Sequence, residues 1–259
     1  MGDKKIQNFR VNEGDFIPLT IPLPRMDTPL EGEVHLWFLD LGGLADSLRE
    51  ALGGHGGHAT PATTAQLRFA RRFYLRLLLG AYLDLPGKSV RINRKQRGKP
   101  VLDASVHDSE IHFSMAKSED RLLIGFSSSS HIGVDLEPSE RRARNPMGLA
   151  RRYFSPAEAA ALAAMPAEDI DAAFLRVWAC KEAVVKASGL GIANQFSRFT
   201  VSTALDQPPS VLDFEGTPPG GCTLALVRPE SEFLGAVAIR DRVSQFKAFR
   251  LLPAQPAPA

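Results

Sequence analysis

Cysteine is almost missing from this chain: Cys180 and Cys222 are the only two in 259 residues. Two thiols cannot build the disulfide framework of a small secreted protein, and they are too few for a cysteine zinc site. A reducing, cytoplasmic setting is the simpler expectation. Long apolar runs are missing too. The best candidate, residues 73–83, is interrupted by Arg76 and falls short of the roughly 20 residues a membrane span needs. The first ten residues are polar and charged, without the apolar core of a secretory signal. An excess of one charge is also lacking, since 31 Lys and Arg face 29 Asp and Glu. A nucleic-acid binder usually carries more imbalance than this, so any anion site must come from a local basic cluster. What remains is a globular composition, 44% hydrophobic and 23% charged, long enough to bury a core.

Residues 1–33 contain Pro18, Pro22, Pro24 and Pro29 and read as an extended leader. Residues 34–40 (VHLWFLD) read as a strand. The run 53–58 (GGHGGH) reads as a glycine-rich loop, and His55 and His58 lack nearby ligands for a metal. Thr60-Pro61 can open a helix whose apolar spacing continues to Leu83. On it Arg68, Arg72 and Arg76 stand four apart and form a basic stripe. That stripe suits either a solvated face or a phosphate-binding one. Short strand-like runs follow at 90–93, 111–115, 121–126 and 132–136, with a polar serine turn at 127–130. Ser155-Pro156-Ala157-Glu158 has the form of a capping box with proline at the first helical position. A helix is expected over 167–188, stopped by Gly189 and Gly191. Strand-like runs return at 199–202, 223–227, 233–239 and 245–251, and the Pro/Ala-rich tail reads as disordered. No βαβ alternation is sustained, so the expected class is α+β in two halves rather than a doubly wound sheet. The expected division is a leader (1–33), an N-terminal subdomain (34–128), a C-terminal subdomain (129–252) and a tail (253–259).

One apparent motif is a decoy. Leu85-Pro86-Gly87-Lys88-Ser89 resembles the end of a P-loop, but the required earlier glycine is Tyr82, and the segment follows a helix instead of a strand.

Two elements carry chemistry. Asp135 and Glu137 lie two apart in a strand-like segment, so period two puts both carboxylates on one side, with Val134 and Leu136 toward the core. Side-by-side carboxylates repel unless a cation intervenes, and hard oxygen ligands of this kind suit magnesium. On their own they better suit a strand end meeting solvent, where acidic residues are common. The second element is Trp178-Ala179-Cys180-Lys181-Glu182-Ala183-Val184-Val185-Lys186. There Trp178, Glu182 and Lys186 share a helix face, beside residues expected to pack. Three carboxylates and two lysines form a usual set for a diphosphate substrate.

In order and spacing these segments resemble the 4′-phosphopantetheinyl transferases of the Sfp type. Gly133-Val134-Asp135-Leu136-Glu137 matches that family's Gly-(Val/Ile)-Asp-x-Glu strand. The segment from Trp178 to Lys186 matches its Trp-x-x-Lys-Glu-x-x-x-Lys helix. Phe154-Ser155-Pro156-Ala157-Glu158 looks like its Phe-Ser-x-x-Glu segment, and Gly98-Lys99-Pro100, preceded by Arg97, looks like its Gly-Lys-Pro motif. The resemblance covers roughly residues 34–240. It implies two pseudo-symmetric α+β subdomains with coenzyme A in the cleft between them. It further implies magnesium on Asp135, Glu137 and Glu182, with Glu182 also as base, and Lys186 on the diphosphate. Nucleotide phosphates would be held by Arg68, Arg72, Lys99, Lys117, Ser118 and Lys181. One segment departs. Phe113-Ser114-Met115-Ala116-Lys117-Ser118 stands where the family has Phe-Asn-(Leu/Ile)-Ser-His-Ser, so Lys117 replaces a histidine and Ala116 a serine. A lysine can still serve as a phosphate-binding point charge.

The implied activity is transfer of the phosphopantetheine arm of coenzyme A to a serine of an acyl, polyketide or peptidyl carrier protein, by a cytoplasmic monomer without nucleic-acid or membrane partners. The competing reading is a coenzyme A- or nucleotide-binding regulatory protein that has lost transfer activity, motivated by Ala116 and Lys117.

Overall fold

The computed structural model describes residues 10–51, 62–95, 98–128, 131–189, 196–214 and 221–254. The loop 53–58, Thr60-Pro61, Arg97, the end of the serine turn, Gly191 and the last five residues lie outside the described residues. Up to residue 128 the elements are β1 (Arg10–Val11), β2 (Phe16–Thr20), β3 (Glu33–Asp40), α1 (Leu41–Ala51), α2 (Thr64–Leu83), β4 (Ile92–Arg94), β5 (Pro100–Leu102), β6 (His112–Ser118) and β7 (Arg121–Ser127). Beyond residue 130 they are β8 (Ile132–Pro138), α3 (Pro146–Tyr153), α4 (Pro156–Ala163), α5 (Ala167–Ser188), β9 (Phe199–Val201), β10 (Val211–Phe214), β11 (Thr223–Val227), β12 (Phe233–Ile239) and β13 (Gln245–Leu252). Helices and mostly antiparallel sheets are combined, as an α+β reading requires.

The chain divides into two compact units, Gly14–Ser129 with Gln245–Ala259, and Met1–Glu13 with Ser130–Ser244. The first holds a five-stranded sheet in the order β2-β13-β3-β7-β6. The strand β3 is buried over seven of its eight residues, which explains its unbroken apolar sequence. Helix α2 starts in a capping box between Thr63 and Gln66 and lays Tyr74, Leu75, Leu78 and Leu79 against Trp37, Leu39, Phe113 and Ile124. Tyr82 joins helix to sheet by accepting from Trp37 Nε1 at 2.8 Å. The last strand, β13, which a linear division places with the second half, pairs in parallel with β3. On its other side it pairs in parallel with β2. Pro18 is tolerated in β2 because β2 is the sheet edge, where a missing N–H breaks no inner ladder.

The second unit is a four-stranded sheet, β1-β11-β12-β8, crossed by α5. The strand β8 sets Gly133, Asp135 and Glu137 opposite Ala238, Ala236 and Leu234 of β12. A Cβ at Gly133 would fall 2.0 Å from the Ala183 carbonyl oxygen and 2.4 Å from the Ala187 nitrogen. Only glycine therefore lets α5 lie this close to β8. The alternative of a strand end meeting solvent does not hold for Asp135: its face is the one under α5, it is only 6% exposed, and Val134 and Leu136 are buried on the other face.

Candidate active site

The close approach at Gly133 brings the end of α5 over Asp135. Lys186 Nζ lies 2.7 Å from Asp135 Oδ1 and 3.8 Å from Glu182 Oε2. Glu137, one strand period further on, pairs with Arg141 at 2.5 Å, and the Arg141 guanidinium sits 5.9 Å over the Trp178 ring. The other oxygen of Asp135, Oδ2, is buried and has no hydrogen-bond partner among the described residues. Burial raises the pKa of Asp135, with Lys186 pulling it back. Glu182 is also raised, first by burial and then by repulsion from Asp135 and Glu137, with the Lys186 charge opposing. Glu137 is raised by burial and by the Asp135 charge, against Arg141. Three partly desolvated carboxylates that repel one another, one with an orphaned oxygen, are chemically suited to a hard divalent cation. Among the described residues no three such ligands are drawn into a closed metal cluster; Lys186 sits between two of the carboxylates instead. Cys180 offers no competing soft ligand, because burial pushes its thiol up to about 12.

Lys181 does not join this group. It is fully buried on another face of α5, 2.8 Å from Glu158 Oε2, and donates to the carbonyls of Phe196 and Phe199 at 2.6 Å each. All three N–H groups are taken, so the lysine expected to hold a nucleotide phosphate is a structural clamp instead. Glu158 is equally committed. It accepts from Ser155 N at 2.7 Å, which closes the capping box, and from Val201 N at 2.8 Å. The pair ties α4 and β9 to α5.

The comparison with known proteins falls on this same region. Residues 131–237 match the family model described as "4'-phosphopantetheinyl transferase superfamily". The chain is 30% identical over 233 residues to the 4'-phosphopantetheinyl transferase HetI of Nostoc sp. (strain PCC 7120), covering 85% of this chain and 92% of that protein. The chain belongs to the 4′-phosphopantetheinyl transferase superfamily. It is also 24% identical over 137 residues to the 4'-phosphopantetheinyl transferase Sfp of Bacillus subtilis, covering 53% of this chain and 58% of that protein. With the human L-aminoadipate-semialdehyde dehydrogenase-phosphopantetheinyl transferase the identity is 26% over 145 residues, 53% of this chain and 47% of the relative.

The other basic residues expected to hold nucleotide phosphates, Arg68, Arg72, Lys99 and Lys117, lie in the first unit, and they separate. Arg72 lines a pocket of about 250 Å³ with Arg71, Arg76 and Arg94, over Leu75, Ile92 and Met115. Among the described residues no carboxylate pairs with these four guanidinium groups. Arg71 is half-buried there, and its pKa is lowered first by burial and then by Arg94, Arg72 and Arg68. Arg68 is exposed outside the pocket lining. Lys99 is half-buried after the turn that joins β4 to β5, and with Lys95 it lowers the pKa of His112, whose burial acts first. Lys117 is exposed and donates to the Glu119 carbonyl, while the neighbouring Ser118 is buried. Sequence reasoning missed Arg141, Arg71 and Arg94. Arg141 was findable four residues after Glu137. Arg71 stands off the four-residue stripe, and Arg94 joins it only through the fold.

Proposed function

We propose that the chain moves the 4′-phosphopantetheine arm of coenzyme A onto a serine of an apo carrier protein and releases 3′,5′-ADP, with magnesium held by Asp135, Glu137 and Glu182. Phosphopantetheine transfer is the activity that family membership gives the chain. The observation that carries the site assignment is Lys186 lodged between Asp135 and Glu182 beside a buried, unpartnered Asp135 oxygen. Bound there, magnesium supplies charge neutralisation to the diphosphate oxygens. Glu182 takes the proton of the carrier serine. Its raised pKa brings it nearer the neutral range in which a general base works best. The serine oxygen then bonds to the β-phosphorus, the bond from that phosphorus to the bridging oxygen breaks, and 3′,5′-ADP leaves with the electron pair. Lys186 stabilises the charge that develops on the departing phosphate. Arg68, Arg72, Lys99, Lys117 and Ser118 are assigned to the nucleotide phosphates. The unpaired arginines around Arg72 support an anion at that end.

No helix among the described residues is long and apolar enough to cross a membrane, and both cysteines are free thiols. A cytoplasmic setting accords with the free thiols, and a monomer is part of the same proposal. The regulatory alternative is not favoured, because Lys186 and the carboxylates remain assembled.

Incubating the protein with coenzyme A, magnesium and an apo carrier should add the mass of one phosphopantetheine arm to the carrier. Coenzyme A binding with no mass gain on any acyl, polyketide or peptidyl carrier would overturn the assignment.

A further inference from the structure

The unit that carries the carboxylates also has a cavity to which the proposed transfer assigns no residue. It has a volume of about 210 Å³, and its polar lining includes Arg10, Arg176 and Arg228. Arg176 is its unusual member. The residue is only 3% exposed. Its Nη1 donates to the Leu205 carbonyl at 3.0 Å and its Nη2 to the Gln207 carbonyl. Its Nε–H is buried with no acceptor among the described residues. Two carbonyls compensate the charge only in part; Asp206 acts on it from beyond ion-pair distance, and no carboxylate among the described residues comes closer. A buried cation without an anion is costly, and so is an unsatisfied buried donor.

Arg10 and Arg228 are exposed; Arg10 lies on β1 and Arg228 directly follows the neighbouring strand β11. Arg10 is in register with Leu226, and Arg228 N donates to the Val11 carbonyl at 2.7 Å. Three positive charges therefore converge on one cavity, and the pKa of Arg176 is lowered first by burial and then by Arg10, with Asp206 opposing. The floor is aliphatic, with Leu175, Leu226 and Leu234 lining it, all largely buried. A guanidinium set over a leucine floor matches an oxyanion carried on a short apolar body.

We propose that this cavity binds a small amphipathic anion, with a carboxylate or phosphate head on Arg176, Arg10 and Arg228 and a short aliphatic body on Leu175, Leu226 and Leu234. The site is separate from the carboxylate cluster. Arg176 precedes Glu182 by six residues, about 9 Å along the helix axis and on a different face. The two sites nevertheless share a seam, because Leu234 of the floor pairs in register with Glu137.

Calorimetric titration of the full chain tests this with four probes: hexanoate, hexyl phosphate, inorganic phosphate and hexylamine. One or both amphipathic anions should bind at a single site, inorganic phosphate should bind more weakly, and hexylamine should not bind. Arg10→Gln and Arg228→Gln should each weaken the bound anion about tenfold, the loss expected of one charge-assisted hydrogen bond. Arg176→Gln should abolish binding. Because Arg176 also ties down Leu205 and Gln207, the two exposed positions carry the test if that variant unfolds. Transfer activity in Arg10→Gln and Arg228→Gln should stay at the wild-type level. The proposal falls if neither amphipathic anion binds, if inorganic phosphate binds as tightly as they do, or if the variants leave affinity unchanged. It also falls if the variants weaken only an apo carrier protein, since the cavity would then be a protein-docking surface.

Discussion

Two lysines five residues apart on α5 sit in opposite electrostatic circumstances. Lys181 has no exposure, and its partner Glu158 has none either. Every donor of that ammonium is used, and both oxygens of Glu158 are engaged. Lys186 keeps 26% side-chain exposure, and its partners Asp135 and Glu182 keep 8% and 12%. There the carboxylates outnumber the cations, and one oxygen has no partner among the described residues. The first cluster is closed, with nothing left to bind. The second is open and holds surplus negative charge under partial cover. Buried ion pairs that satisfy themselves stabilise architecture, whereas those left incomplete and reachable by solvent are suited to receive a ligand.

The sharpest way to break that comparison is to alter one carboxylate in each cluster. Glu182→Gln should lower transfer turnover about a thousandfold or more, the range expected from losing a general base, while the fold is kept. Near-normal turnover would refute the role given to Glu182. Glu158→Gln should do the reverse. It leaves Lys181 buried without a counter-charge, which costs about 3–5 kcal/mol of stability, while turnover per folded molecule stays close to normal. Denaturant unfolding beside single-turnover assays would read both quantities. A Glu158→Gln protein that is stable but inactive would show that the closed cluster is not merely structural. Gly133→Ala strikes the framework that the open cluster depends on. The added Cβ meets the Ala183 carbonyl at 2.0 Å, so α5 must move off β8. A stability loss of about 1–3 kcal/mol, typical of overpacking, should come with lost activity, because the Lys186–Asp135 contact depends on that approach.

These two lysines also show where sequence reading stopped. Both sit in one nine-residue motif, and helical spacing correctly placed Glu182 and Lys186 together. Nothing local separates Lys181, because its partners arrive from α4, from the turn before β9 and from the first residue of β9. The capping box at Ser155 was legible, and so was the span of α5 ending at Gly189, which adopts a left-handed conformation with φ 71°. The helix α1 was not, since Gly42 and Gly43 argue against a helix start, yet Asp40 caps it by accepting from Gly43 N at 3.1 Å. The strand β2 was hidden by Pro18 and by a parallel partner more than two hundred residues away. Its register is set by tertiary pairing, for which a local pattern carries no signal.

A smaller effect follows from charge. The pKa values of Asp135, Glu137 and Glu182 are all raised. A carboxyl with a raised folded-state pKa contributes stability below its unfolded value, and that contribution is lost as pH rises through the folded value. Without magnesium, the melting temperature of Glu182→Gln should therefore exceed that of wild type by a margin that grows from about pH 4 to pH 7. Adding magnesium should raise wild type most at the upper end of that window and narrow the gap. A margin that stays constant with pH would count against the three carboxylates acting as one repelling set.

The smallest effect concerns a third lysine. Lys117 is neither clamped like Lys181 nor set among carboxylates like Lys186. It is exposed and donates to the Glu119 backbone carbonyl, an acceptor it can exchange for a phosphate oxygen at little cost. A solvated ammonium contributes modestly to an ion pair, commonly under about 1 kcal/mol. Lys117→Ala should accordingly weaken coenzyme A binding by about two- to fivefold. Between pH 6 and 8, Lys117→His should lose affinity relative to the parent as pH rises, because a histidine imidazole gives up its charge in that range. If Lys117→Ala leaves affinity unchanged across that window, the lysine plays no part in holding the nucleotide, and the phosphates rest on the arginines around Arg72.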